Sequence, residues 1–168
     1  MTCERRIWKF GDDVNTDLII PGMYLDNYDP SHLASHAMEG ANADFARSVK
    51  EGDIILAGRN FGCGSSREQA VTSLRACGIQ TVVAASFARI FYRNAAALGI
   101  AVYESPEAYD AFEEGEKVLL EREECVLRSI DGSKEIRLRD MPPHLKTVID
   151  SGGLLPYLKC KIVEHPKD

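Results

Sequence analysis

Ser65, Ser66 and Arg67 stand in direct succession just after three glycines, Gly58, Gly62 and Gly64. Serine hydroxyls can bind or react, and a guanidinium matches a carboxylate or phosphate bidentately. Glycines let the backbone take positive φ and bring its N–H groups close to a ligand. Together these types at this spacing describe an oxyanion site with two hydroxyls inside it. A cation in the first turn of a helix opposes the helix dipole, so Arg67 is not there for the sake of the helix. The same residues also fit a plainer reading, in which Ser65 or Ser66 caps the helix and Arg67 is a solvated charge. A single glycine-rich turn does not choose between the two. Cys63 lies in the same turn, where a helix N-terminus would lower a thiol's pKa. No neighbouring histidine supplies the base that thiol catalysis uses.

The elements around the turn follow from periodicity. Residues 53–57 form a continuous apolar run that predicts a buried strand, and Ala70, Val71, Leu74 and Cys77 repeat on one face of a helix. Residues 79–85 predict a second strand, Ser86 caps a helix over 87–98 that closes at Gly99, 100–103 is a third strand and 106–112 a short helix. With a first strand at 7–10, this alternation predicts a parallel or mixed core sheet with crossover helices. Beyond Lys117 the texture changes: runs at 118–120, 126–130 and 136–138, the last two joined around Asp131-Gly132, predict a small antiparallel layer. Pro142-Pro143 opens a helix to Ile149, and Gly152-Gly153 separates it from a last helix over 154–163. The fold class is α/β, in a single domain spanning 1–168.

Other residues invite chemistry less strongly. Gly11-Asp12-Asp13-Val14-Asn15-Thr16-Asp17 reads as an Asx-rich turn ahead of a short strand, and it lacks the glycine and glutamate of a calcium loop. Residues 24–30, polar with two tyrosines, predict an exposed loop of the kind that reads a ligand. His32 and His36 share a face of a helix over 31–39, followed by another over 42–49, yet no third metal ligand is patterned with them. Arg89 and Arg93, four apart, either add positive charge to the site or form a solvated face. His144 falls on a polar face.

Composition bounds the function. A net charge of −6 without long runs leaves no electrostatic footprint for nucleic acid. No stretch approaches the roughly 20 apolar residues of a membrane span. The first residues lack the apolar core of a signal peptide, which predicts a cytoplasmic protein. The five cysteines, Cys3, Cys63, Cys77, Cys125 and Cys160, include no close pair, so neither a disulfide framework nor a local metal clip is indicated.

Four motifs in order carry a resemblance that covers nearly the whole chain. They are Gly11-Asp12-Asp13-Val14-Asn15-Thr16-Asp17, Gly58-Arg59-Asn60-Phe61-Gly62-Cys63-Gly64-Ser65-Ser66-Arg67-Glu68, Ala84-Ala85-Ser86-Phe87-Ala88-Arg89-Ile90-Phe91 and Gly152-Gly153-Leu154. The chain resembles the small subunits of the isopropylmalate dehydratase branch of the aconitase superfamily. That resemblance implies the three-layer β/β/α swivelling domain, and a hydro-lyase that dehydrates and rehydrates a 2-hydroxy dicarboxylic acid in leucine biosynthesis. It implies a large-subunit partner that carries a [4Fe-4S] cluster acting on the leaving hydroxyl, with no cluster ligand in this chain. By resemblance Ser65 is the base, Gly64 and its neighbours stabilise its charge, and Ser66 and Arg67 hold a substrate carboxylate. Asp17 would orient a histidine of the large subunit, and Tyr24, Leu25 and Asp26 would form the loop that reads the substrate's substituent. Homoaconitase-like members carry an arginine where this chain has Asp26, and a carboxylate there would repel a third substrate carboxylate. Isopropylmalate therefore leads, with a smaller alkylmalate such as dimethylmalate next. A phosphate- or nucleotide-binding module would normally add Gly-Lys-Ser/Thr or an acidic ribose reader, and neither is present. A purely structural partner would leave Ser65 and Arg67 replaceable.

Overall fold

The computed structural model describes residues 4–164, so Cys3 lies outside the described residues. The apolar runs of the first hundred residues become four parallel strands: β1 (Arg5–Phe10), β2 (Ile54–Ala57), β3 (Thr81–Ala84) and β4 (Ala101–Glu104). Ile7 lies opposite Ile54, Ile54 opposite Thr81 and Thr81 opposite Ala101, so the strands run level. β2 and β3 are buried at every residue, as unbroken apolar parallel strands covered on both faces require.

The antiparallel strands β5 (Lys117–Glu121), β6 (Val126–Ser129) and β7 (Glu135–Arg137) join this set edge-on. β5 pairs with β1 at Arg5 and Arg6, giving one seven-stranded mixed sheet in the order β4-β3-β2-β1-β5-β6-β7. The β6–β7 turn is where the Asp131-Gly132 signal placed it: Gly132 has φ +71, and Asp131 accepts from Ser129 and Ser133. Those bonds hold the Asp131 carboxyl down at about 2.

The helices are α1 (Thr16–Ile19), α2 (Pro30–Ser35), α3 (Phe45–Ser48), α4 (Glu68–Ala76), α5 (Arg89–Ala97), α6 (Pro106–Ala111), α7 (Pro143–Asp150) and α8 (Leu154–Glu164). Among the described residues none is long and apolar enough to cross a membrane. The helices predicted over 31–39 and 42–49 are shorter than expected, because His36 leaves helical geometry and Met38 takes φ +57, turning the chain. The strand expected after the aspartates is instead the single turn α1, for Asn15 Oδ1 accepts the Leu18 N–H at 3.0 Å and caps it.

Two other capping expectations fail. α4 starts at Glu68 with Arg67 as its cap residue and no side-chain cap, so neither Ser65 nor Ser66 serves it. α5 starts at Arg89, and Ser86 does not cap it but accepts the Asn60 N–H on its hydroxyl at 2.9 Å. One buried cluster runs through the sheet and the inner helix faces. Its buried polar groups are paired: Asp53 accepts from Trp8 Nε1 at 2.9 Å and from the Lys50 N–H at 3.0 Å.

Gly62 has φ +80, and a Cβ there would lie 2.2 Å from Cγ of the buried Phe91. Gly62→Ala is therefore expected to lower stability by about 1–3 kcal/mol through overpacking on a strained backbone, read as a shifted urea midpoint. A midpoint equal to the parent's would mean that Phe91 yields freely.

Candidate functional site

Three of the sequence motifs meet behind the glycine turn. The aspartate-rich segment runs alongside it: Asp13 N–H donates to Arg59 O and Gly62 N–H to Val14 O, both at 2.8 Å, and Thr16 N–H donates to Cys63 O at 2.9 Å. Side chains tighten the seam, with Asp12 Oδ1 accepting the Arg59 N–H at 2.7 Å and Asp13 Oδ1 accepting Asn60 Nδ2 at 2.8 Å. On the other side Phe61 N–H donates to Ser86 O at 3.0 Å and Ala88 N–H to Phe61 O at 2.9 Å. The segment before α5 is thus a third rail of the same seam.

Fixed from behind, the turn is open in front. Thr16 Oγ1 donates to Ser65 O at 3.0 Å, which holds the carbonyl away and leaves Ser65 and Ser66 exposed. Among the described residues neither serine hydroxyl has a partner, and the backbone N–H groups of Gly64, Ser65, Ser66 and Arg67 have no acceptor. Gly64 reaches φ +93 to make this possible. Unpaired donors and hydroxyls at the surface are what an incoming anion would satisfy.

Arg67 completes the arrangement. Its side chain is mostly buried, and Nη1 donates to Asp17 Oδ1 at 2.6 Å and to Ile20 O at 3.3 Å. Nη2 keeps no protein acceptor. Asp17 is 65% exposed, so the pair is worth about 1 kcal/mol at most. A substrate carboxylate could share or displace it at small cost. The turn and the start of α5 line a cavity of about 210 Å³, to which the turn contributes Gly64, Ser65, Ser66 and Arg67 and the helix contributes Arg89 and Ile90.

The predicted reading loop behaves differently. Gly22, at its start, lies beside Arg67, where a Cβ would come within 3.9 Å of Nη2. Tyr24, however, is held back: its ring stacks on His36 at 3.6 Å and its hydroxyl donates to Glu39 at 3.0 Å. Glu39 also meets His36 Nδ1 at 2.5 Å, an interaction that lowers its carboxyl below the ordinary value. The same glutamate raises the Tyr24 phenol. Leu25 packs against the core and Asp26 is exposed, and none of the three lines the 210 Å³ cavity. His36 thus helps to hold the loop through a glutamate that the spacing did not single out, and His32 meets Tyr24 and His36 edge-on.

Sequence reasoning also missed Thr16, Ile90 and Asn94, all of which line the cavity. Thr16 and Ile90 lay within recognised motifs, whereas Asn94 carried no signal of its own. Arg93 and His144 stand outside this cavity. No group of three or more histidine, cysteine, aspartate or glutamate side chains gathers as a metal site would need, among the described residues. The described residues therefore do not fit an iron–sulfur cluster.

The aconitase C-terminal domain family matches residues 9–107. The 3-isopropylmalate dehydratase small subunit 1 of Methanopyrus kandleri is 48% identical over 154 residues, covering 92% of this chain and 91% of that protein. The 3-isopropylmalate dehydratase small subunit of Aquifex aeolicus is 46% identical over 158 residues, 94% of each. The crystal structure of 3-isopropylmalate dehydratase from Methanocaldococcus jannaschii superposes with a TM-score of 0.92 at 44% identity, covering 100% of both chains. The fold is accordingly the swivelling domain of the aconitase type.

Burial raises the Cys63 thiol above its ordinary 9.0, and Asp13 adds to the shift. The thiolate is then scarce at neutral pH and becomes abundant only well above that value. Site-mapped alkylation of Cys63 by iodoacetamide should be slow at neutral pH and accelerate steeply beyond it, and rapid labelling at neutral pH would contradict this.

Proposed function

The chain belongs to the aconitase C-terminal domain family and, within it, to the 3-isopropylmalate dehydratase small subunits; from that premise we propose that it interconverts 2-isopropylmalate and 3-isopropylmalate in leucine biosynthesis, as the small subunit of a heteromeric hydro-lyase. It would act in the cytoplasm as one unit with a large subunit, which would hold the [4Fe-4S] cluster. The observation that carries the reading is the coincidence, in one cavity, of two free hydroxyls, unpaired backbone N–H groups and a guanidinium with an open edge.

In this reading a substrate carboxylate takes the free edge of Arg67 and the Ser66 hydroxyl. That places the carbon next to the carboxylate, whose C–H is to be broken, against Ser65. The Ser65 oxygen, as alkoxide, removes the proton, and the N–H groups of the glycine turn stabilise its negative charge as an oxyanion hole does. On rehydration the proton returns from the same oxygen. Asp17 steadies Arg67 through one carboxylate oxygen, and its other oxygen is available to orient a histidine of the large subunit. Asp26, exposed on the loop that starts beside Arg67, supplies the negative charge that disfavours a third substrate carboxylate. Tyr24 and Leu25 set the base of that loop. Because Asp26 brings no apolar surface, a smaller alkylmalate such as dimethylmalate is the second reading.

The test is Ser65→Ala in the complex with the large subunit, following the absorbance of the unsaturated acid on isopropylmalate, dimethylmalate and homoaconitate. Turnover should fall by about 10²–10⁴-fold, the worth of a positioned general base, while gel filtration finds the complex intact. Unchanged turnover would overturn the role of Ser65, and turnover of homoaconitate by the unaltered complex would overturn the charge argument.

A further inference from the structure

If the reaction is the one proposed above, the loop that begins at Gly22 has to stand in a fixed relation to Arg67, so that one end of the substrate is read while another is held. Residues 22–24 make a single turn of 3-10 helix, closed by the Leu25 N–H donating to Gly22 O at 3.3 Å. Around Tyr24 and Leu25 the loop exposes Met23, Asp26, Asn27 and Tyr28. Such a segment keeps one conformation only through contacts with the rest of the fold.

Those contacts are built on the chain after α2. The His36 ring lies over the Tyr24 ring, 3.6 Å between centroids and 9° from parallel. Glu39 uses one carboxylate oxygen for the Tyr24 hydroxyl at 3.0 Å and the other for His36 Nδ1 at 2.5 Å. Glu39 raises the phenol and His36 lowers the carboxyl, so the donor stays protonated and the acceptor ionised. The main chain adopts a costly conformation to bring the pair together: buried Met38, between them, has φ +57, a region that side-chain-bearing residues avoid.

The same stretch is seated on α1. Met38 N–H donates to Ile19 O at 2.7 Å, and a Cβ at Gly40 would lie 2.7 Å from Leu18 Cα and 2.9 Å from Asp17 O. Asp17 is the partner of Arg67. Residues 36–40 therefore grip the loop through side chains and the backbone of the Arg67 partner through main-chain contact. We infer that His36 and Glu39 are positioning residues of the substrate site, which hold Tyr24, and with it the loop over residues 22–28, in register with Asp17 and Arg67. They thereby set how tightly the substituent is bound. Neither side chain need meet the substrate, because the effect passes through Tyr24.

The experiment compares the reconstituted two-subunit enzyme carrying the unaltered chain, His36→Ala, His36→Phe or Glu39→Gln, on 3-isopropylmalate and on 3-methylmalate. Amide hydrogen exchange over residues 22–28 is followed in each free small subunit. His36→Ala should raise KM for isopropylmalate about tenfold more than for methylmalate, the scale on which a pocket discriminates by a few carbons. Its kcat should stay within about twofold, as for a loss confined to binding. Exchange over 22–28 should quicken. His36→Phe, which keeps a ring to stack on Tyr24, should recover most of the KM, and Glu39→Gln, equal in size but uncharged, should move KM in the same direction by less. A lowered urea midpoint with KM and loop exchange unmoved would show a merely structural contact and overturn the inference. A fall in kcat with KM unmoved would overturn it as well. Either result leaves the proposed reaction standing, whereas an unaltered complex that turns over neither acid would overturn the reaction and this inference with it.

Discussion

A turn that presents unpaired N–H groups to a ligand cannot be held by those groups, so everything that fixes it must act from behind. In this chain the constraint is met by backbone pairing on both sides of Phe61 and Gly62. The segment from Asp13 to Thr16 bonds one side and the segment from Ser86 to Ala88 bonds the other. Each bond contributes modestly, about 1 kcal/mol. Their cooperation around a buried Phe61 is what allows the residues from Gly64 to Arg67 to stay open. The glycines serve the same end: Gly62 admits Phe91, and Gly58 admits Asp12, whose Oδ1 would lie 2.1 Å from a Cβ there.

The parallel strands follow from this need as much as from hydrophobic burial. β1, β2 and β3 run level, so the segments that follow them emerge together at one end of the sheet. Those segments are the aspartate-rich turn, the glycine turn and the lead-in to α5. Ligand sites at the carboxyl ends of parallel strands are the general outcome of such sheets. The antiparallel strands, joined on through β1 and β5, extend the core away from that end.

Much of this was legible in the sequence because it rests on local rules. Unbroken apolar runs gave the buried strands, Asp131-Gly132 gave the hairpin, and the succession of glycines and serines marked the exposed turn ahead of α4. What escaped was set by contacts distant in sequence. Ser86 reads as a helix cap until Asn60 is brought beside it, and Asn15 reads as part of a strand entry until its own side chain closes a helical turn. Tyr24 reads as a ligand-facing ring, and only the fold brings it onto His36 and Glu39. Arg67 drew attention by its place in the turn, yet its pairing with Asp17, fifty residues earlier, has no local signature.

The cavity is lined by different elements, the glycine turn and the start of α5, joined at Phe61 by main-chain bonds and by the packing of its ring on Phe87 and Phe91. Main-chain bonds are indifferent to side-chain identity. The exposed residues of α5 that line the cavity lie outside that joint, so a lineage could exchange them while the serines and the arginine of the turn keep their places.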